Sequence, residues 1–285
     1  MSNKVGVVGA GLMGAEIALA FAISGREVWL NDRDMESIDR ALARLRDIME
    51  KGCKRGFYEE AQVEPVLARV HAAPDLSTFA EVDMVTEAVF EEESVKAEVL
   101  RRLDAVCKPS CLIASNTSTI PISTLAAYLM PERRRRFVGT HYFSPVSRMA
   151  LVEIIPGFDT DPATVEQAIE MTTSAGKTPI LVKDVAGFAV NRMLHAFMIE
   201  AVRLVEEGVA TPEDLDTACR LGLGHAIGPF ALMDAVTASL CVQAQEIMQE
   251  AYGERFRPPP LLKQRVRAGY VGGKGKPGWF AVKAK

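Results

Sequence analysis

Two residues in this chain have side chains and a spacing that suit acid–base chemistry, His141 and Glu153. Each sits in a short apolar run, Phe137–Phe143 and Leu151–Ile155, and a turn through Ser144-Pro145 joins the runs. Runs this short, bounded by Gly and Pro, read as buried strands. The pair is 12 residues apart in sequence, a gap that two neighbouring strands can close. A histidine held by a buried carboxylate is a general base with a fixed tautomer. The same pair also fits a satisfied core histidine beside a strand-end charge, because most buried histidine–carboxylate contacts are not catalytic. The other three histidines lack a carboxylate at a suggestive position. His71 falls on an edge-like strand, His195 in an apolar helix (core or interface), and His225 in a glycine loop.

The elements that must position this pair begin at the amino terminus. Lys4–Val8 reads as an apolar strand, Gly9-Ala10-Gly11-Leu12-Met13-Gly14 follows, and Ala15–Ser24 reads as a buried helix. A G-x-G-x-x-G between strand and helix predicts a dinucleotide site. Gly9 allows the tight turn, Gly11 lets backbone approach a pyrophosphate, and Gly14 lets helix pack on strand. Leu12 and Met13 are then cofactor-lining residues at the helix N-terminus. Asp32 ends the next strand, 18 residues after Gly14, where an acidic side chain meets ribose hydroxyls and favours NAD over NADP. The neighbouring Arg33 is the feature that would accommodate a 2′-phosphate.

Further strands are expected at Val70–Ala72, Asp83–Ala88, Cys111–Ala114 and Pro179–Val182. Helices are expected at Met35–Cys53, Glu91–Ala105 and Pro162–Ser174. Lys51, Lys54 and Arg55 form a basic helix end that suits either a phosphorylated substrate tail or plain solvation at the negative end of the dipole. Ser115-Asn116-Thr117-Ser118 lies at a strand's carboxyl end, where ligands bind in doubly wound sheets. It is equally an N-cap for a helix starting near Ile122. Arg133–Arg136 reads as a solvated face. Beyond residue 184 no convincing strand remains. Phe188–Glu207, a helix started by Thr211-Pro212, Phe230–Tyr252 and Leu261–Ala268 all read as helical. The expectation is an α/β fold in two domains. Residues 1–184 form a Rossmann-type doubly wound sheet and 185–285 an all-helical domain.

Composition narrows the classes. The chain has 285 residues, 48% hydrophobic and 25% charged, as ordinary globular domains do. A net charge of −4 gives no electrostatic footprint for nucleic acid. Val5–Ile23 is apolar enough to suggest a membrane span, but its four glycines favour strand, turn and helix. The expectation is no membrane segment. The five cysteines include no C-x-x-C, which predicts reduced thiols, a cytoplasmic protein and no metal site.

Several motifs together resemble the L-3-hydroxyacyl-CoA dehydrogenases. They are Gly9–Gly14, Asp83–Lys96 (DMVTEAVFEEESVK), Ser115–Ser118 (SNTS), His141–Ile155, Gly176–Arg192 (GKTPILVKDVAGFAVNR) and Gly228-Pro229-Phe230. The wording R-M-x-L-V-E-I-I is most similar to the dehydrogenase part of multifunctional fatty-acid oxidation proteins. No hydratase segment accompanies it here, which implies a stand-alone dehydrogenase. The resemblance implies NAD-dependent oxidation of (S)-3-hydroxyacyl-CoA, with His141 as general base and Glu153 orienting it. It assigns Ser118 to substrate and nicotinamide, and Asn191 to the substrate carbonyl. It assigns Asp32, Glu91 and Lys96 to NAD. Lys51 and Lys54 remain candidates for substrate phosphates. The family pairs through its helical domain, so a homodimer is implied. A related dehydrogenase of a free hydroxy acid (L-gulonate or carnitine type) and a silent NAD-binding protein are the competing readings. Three positions depart from the pattern. Ser144 stands before Pro145 where an asparagine is usual, at a position that contacts nicotinamide or substrate. Ala150 replaces a lysine, and Thr237-Ala238-Ser239 replaces Gly-Leu-Asp.

Overall fold

The computed structural model describes residues 4–282. Eight strands form one sheet. They are β1 (Lys4–Val8), β2 (Glu27–Asn31), β3 (Val70–Ala73), β4 (Met84–Glu87), β5 (Leu112–Ser115), β6 (Phe137–Tyr142), β7 (Leu151–Pro156) and β8 (Thr178–Leu181). The order is β3-β2-β1-β4-β5-β6-β7-β8. The first six run parallel, as the six strands of a doubly wound dinucleotide fold do, and β7 turns back antiparallel to β6. β4, β5 and β6 are buried along their whole length, which is what helices on both faces impose on a parallel sheet.

The covering helices are α1 (Leu12–Ile23), α2 (Met35–Lys54), α3 (Glu60–Leu67), α4 (Glu93–Val106), α5 (Ile122–Ala126), α6 (Pro131–Arg134) and α7 (Pro162–Ser174). α1 is buried continuously from Gly14 to Ala22, so the apolar stretch near the amino terminus is a core helix. No helix among the described residues is long and apolar enough to cross a membrane. Nothing in the periodicity marks α3, whose Pro65 lies inside the helix. Its start is nonetheless legible as a capping box, Glu59 with Gln62.

The chain divides into two compact units, Met1–Val185 and Ala186–Lys285. The second is helical, with α8 (Val190–Glu206), α9 (Pro212–Gly222), α10 (Pro229–Val236), α11 (Ala238–Tyr252) and α12 (Pro260–Arg267). Met198, Val202, Phe230, Met233 and Leu262 form its core. The single helix expected over Phe230–Tyr252 is instead two. The bond from Ala238 N–H to the Asp234 carbonyl, which would continue the helix, is replaced by two bonds to the carboxyl-terminal tail. Gly273 N–H donates to Asp234 O at 2.6 Å, and Ala238 N–H donates to Val271 O at 2.8 Å. Thr237 is left at φ +84°.

Within the basic run Arg133–Arg136, Arg135 is exposed as expected of a solvated face, and Arg133 departs from it. Arg133 is buried, because the turn before β5 points its carbonyls at one spot. Its guanidinium donates to Cys107 O at 2.7 Å, Lys108 O at 3.0 Å and Cys111 O at 3.2 Å, and pairs with Asp104 at 3.0 Å.

Candidate active site

The β6–β7 pairing puts His141 directly opposite Glu153, so their side chains leave the same face of the sheet. His141 Nδ1 lies 2.7 Å from Glu153 Oε2. Both residues are buried, at 4% and 0% exposure. A carboxylate only accepts, so Nδ1 carries the proton and Nε2 presents its lone pair. Ser118 Oγ stands 3.0 Å from that Nε2. The ring also rests edge-on against Phe143, with centroids 4.6 Å apart.

The S-N-T-S loop that brings Ser118 here is not a helix cap. α5 is capped by Asp184, whose carboxylate accepts from Ile122 N–H and Ser123 N–H at 2.8 Å each. The loop is tied elsewhere. Asn116 Oδ1 accepts from Tyr142 N–H at 2.9 Å. Glu91 Oε1 accepts from Ser118 N–H and Thr119 N–H at 2.7 Å each, and from Thr117 Oγ at 2.6 Å. Burial pushes the Glu91 carboxyl up, but Lys96 and these donors outweigh it and hold it below the usual carboxylate range. Lys96, expected at the cofactor, has a side chain that is 1% exposed, with its ammonium 2.8 Å from Glu87 and 3.4 Å from Glu91.

The glycine loop forms the second half of the site. Gly9 has φ +101°, and a Cβ there would meet the Ala88 carbonyl oxygen at 2.5 Å. A Cβ on Gly14 would sit 1.8 Å from the Gly9 carbonyl oxygen. At Gly11 a Cβ would meet nothing within 4 Å, so the middle glycine faces the open space a ligand would enter. Among the described residues no side chain caps α1, and no acid sits in its first turn, an arrangement that suits a diphosphate at the positive helix end. A cavity of about 900 Å³ opens here, lined by Gly9–Met13, Asp32, Arg33, Arg40 and Arg44 among others. These features fit NAD.

Asp32 lines this cavity while also fastening the loop, accepting from Ala10 N–H at 2.6 Å and Arg33 N–H at 2.7 Å. Arg44 went unremarked in the sequence, within an arginine-rich helix. It donates to the Ala10 and Gly11 carbonyls at 2.9 and 3.0 Å, bringing positive charge to the glycine loop.

The remaining candidates divide. Ser144 is exposed in the β6–β7 turn, and Asn191 is half-buried in the first turn of α8 within the second unit. Lys51 pairs with Asp47 at 2.7 Å on the exposed end of α2, and Lys54 ends that helix. His71 has the carboxylate partner its sequence position hides. The parallel pairing of β2 and β3 brings its Nε2 to 2.5 Å from Glu27. Both are half-exposed, unlike the dry His141 pair.

Comparison with known proteins decides the family. The model described as 3-hydroxyacyl-CoA dehydrogenase, NAD binding domain, matches residues 4–185, and the C-terminal domain of that family matches residues 187–282. The chain belongs to the 3-hydroxyacyl-CoA dehydrogenase family. It is thereby an NAD-dependent oxidoreductase. It is 38% identical to a probable 3-hydroxybutyryl-CoA dehydrogenase of Deinococcus radiodurans, over 97% of this chain and 99% of that protein. It is 35% identical to the mitochondrial hydroxyacyl-coenzyme A dehydrogenase of Sus scrofa, over 99% and 91%. The crystal structure of (S)-3-hydroxybutyryl-CoA dehydrogenase PaaH1 from Ralstonia eutropha superposes with a TM-score of 0.94 at 34% identity, covering both chains fully.

Proposed function

We propose that this chain reversibly oxidises (S)-3-hydroxyacyl-CoA to 3-oxoacyl-CoA with NAD, His141 acting as general base. The observation that carries this is the line Ser118 Oγ, His141 Nε2, His141 Nδ1 and Glu153 Oε2, joined at 3.0 and 2.7 Å, with His141 and Glu153 buried. NAD, when bound, supplies the hydride acceptor. His141 Nε2 takes the proton of the 3-hydroxyl, and Glu153 stabilises the imidazolium that results. Ser118 donates to the oxygen that changes from alcohol to ketone. In reduction the same imidazolium returns its proton to the developing alkoxide. Gly9, Gly11, Leu12, Met13, Gly14 and Asp32 hold the adenosine and diphosphate, with Glu91 and Ser144 near the other end. Asn191 as a contact to the substrate oxygen rests on its motif, as do Lys51 and Lys54 toward the CoA phosphates. The relatives' names make the four-carbon 3-hydroxybutyryl thioester the first substrate to test.

His141→Gln should lower kcat by about 10²–10⁴-fold, the span general acid–base catalysis supplies. NAD affinity should stay within about threefold, since no uniform binding is lost. Full activity in this variant would remove His141 from the chemistry. Turnover of L-gulonate or carnitine but not acetoacetyl-CoA would move the assignment to a free hydroxy acid. We further propose a cytoplasmic homodimer joined through the helical unit.

A further inference from the structure

The carboxyl ends of β4 and β5 carry a buried ion pair, Glu87 with Lys96, that the chemistry above does not use. Glu87, the last residue of β4, is fully buried. Its Oε1 accepts from Val89 N–H at 2.7 Å and from Lys96 Nζ at 2.8 Å, and its Oε2 accepts from Ser115 Oγ at 2.6 Å. Lys96 in turn reaches the Val89 carbonyl and Glu91 Oε2, each at 3.4 Å. Two carboxylates therefore share one buried ammonium, Glu87 fully buried beside it and Glu91 35% exposed. A buried ion pair is a poor source of stability, because desolvation offsets its attraction. Its value must lie in what it fixes. It fixes Glu91, and Glu91 fixes the loop of Ser118 through two main-chain N–H groups.

We propose that Glu87 and Lys96 are positioning residues for the reaction, holding Glu91 so that the S-N-T-S loop sets Ser118 against His141. Without the Glu87 charge, the Lys96 ammonium has Glu91 as its sole counter-charge among the described residues. That stronger pull draws Glu91 off the loop N–H groups. Ser118 then loses its place 3.0 Å from Nε2. A displacement of about 1 Å in a reacting constellation costs on the order of 100-fold in rate. This inference rests on His141 being the base.

The test is a double-variant cycle on the full chain with acetoacetyl-CoA and NADH. Glu87→Gln keeps the shape and removes the charge. It should lower kcat 10- to 100-fold while both KM values stay within about threefold. In a Ser118→Ala background the same substitution should cost less than about twofold, because the group it acts through is gone. Equal losses in both backgrounds, an unchanged kcat, or a loss confined to KM would each overturn the proposal. KM values and the ratios within the cycle, scaled to folded enzyme, do not depend on yield. Should Glu87→Gln fail to fold, Ser115→Ala removes one donor to Glu87 and leaves the ion pair intact. It should lower kcat two- to fivefold, and only when Ser118 is present. If His141→Gln and Ser118→Ala are themselves fully active, the site assignment fails. If they are inactive while Glu87→Gln is unaffected, only the positioning role fails.

Discussion

Glu153 does more at the residue scale than lend His141 a charge. By accepting from Nδ1 it leaves the Nε2 lone pair facing Ser118. In Glu153→Gln the amide can donate to Nδ1 and stabilise the opposite tautomer, with its proton on Nε2. Activity should then fall by up to about 10⁴-fold, the loss seen when a triad carboxylate becomes an amide. Cofactor binding, read by NADH fluorescence, should persist. A loss below tenfold would mean that the carboxylate only fills space. His195 poses the opposite problem. It is buried in α8, its Nδ1 has no hydrogen-bond partner among the described residues, and burial pushes its pKa from 6.5 down to about 4. In the unfolded chain it binds a proton near pH 6.5, but in the folded protein it does so only near 4. The unfolded state therefore gains protons first as pH falls. The stability owed to this group is complete above about pH 6.5 and declines toward pH 4, by at most about 3 kcal/mol. Denaturant melts of His195→Leu should lose that decline, and a slope unchanged from wild type would place its source elsewhere.

At the scale of elements, the β6–β7 hairpin and the α10–α11 break are opposite lessons about local sequence. The hairpin is legible because two apolar runs around a Ser-Pro turn allow few registers, and a one-residue slip would turn Glu153 to the other face of the sheet. The loop between the strands is then fastened from outside. Glu16 accepts from Ser147 N–H at 2.8 Å, and Lys177 donates to the Met149 carbonyl at 3.0 Å. The break is not legible, since Phe230–Tyr252 has helical periodicity throughout. The tail near Gly273 imposes it from some 36 residues away, taking the Asp234 carbonyl. Thr237 bears the consequence, a β-branched residue at φ +84°, where such residues are strained by about 1–3 kcal/mol. Thr237→Gly should relieve about 1 kcal/mol and raise Tm by about 2–4 °C. A lower Tm would mean that the bond from Thr237 Oγ to Ser239 Oγ at 3.3 Å outweighs the strain.

Across the whole molecule, strand–helix alternation up to β8 and its absence afterwards made the fold class readable, and the glycine spacing pointed to NAD as cofactor. What stayed hidden were charges that violate the usual surface rule. Arg133 reads as solvent-facing in sequence, while Glu87 falls in an expected strand and Lys96 in an expected helix, and all three are buried. Arg133 is buried because the Cys107 and Cys111 carbonyls converge on it from 26 and 22 residues away, and Glu87 and Lys96 because each is the other's buried partner. The same reasoning in reverse bears on assembly. In the helical unit, large apolar side chains that should be buried are exposed, with Leu221 at 82%, Met193 at 67%, Leu223 at 63% and Leu240 at 57%. A unit of about 100 residues has a small core of its own, so uncovered leucines are a cost that a second copy can remove. A C2 pairing would use the same side chains on both subunits, so one substitution acts twice. The wild-type chain should sediment at twice 31.0 kDa at micromolar concentration. Leu221→Glu with Leu223→Glu should shift it to the monomer with its helical circular dichroism intact. A wild-type chain that is already monomeric would reject the homodimer. A double variant that remains dimeric would keep the dimer but move its interface away from the end of α9.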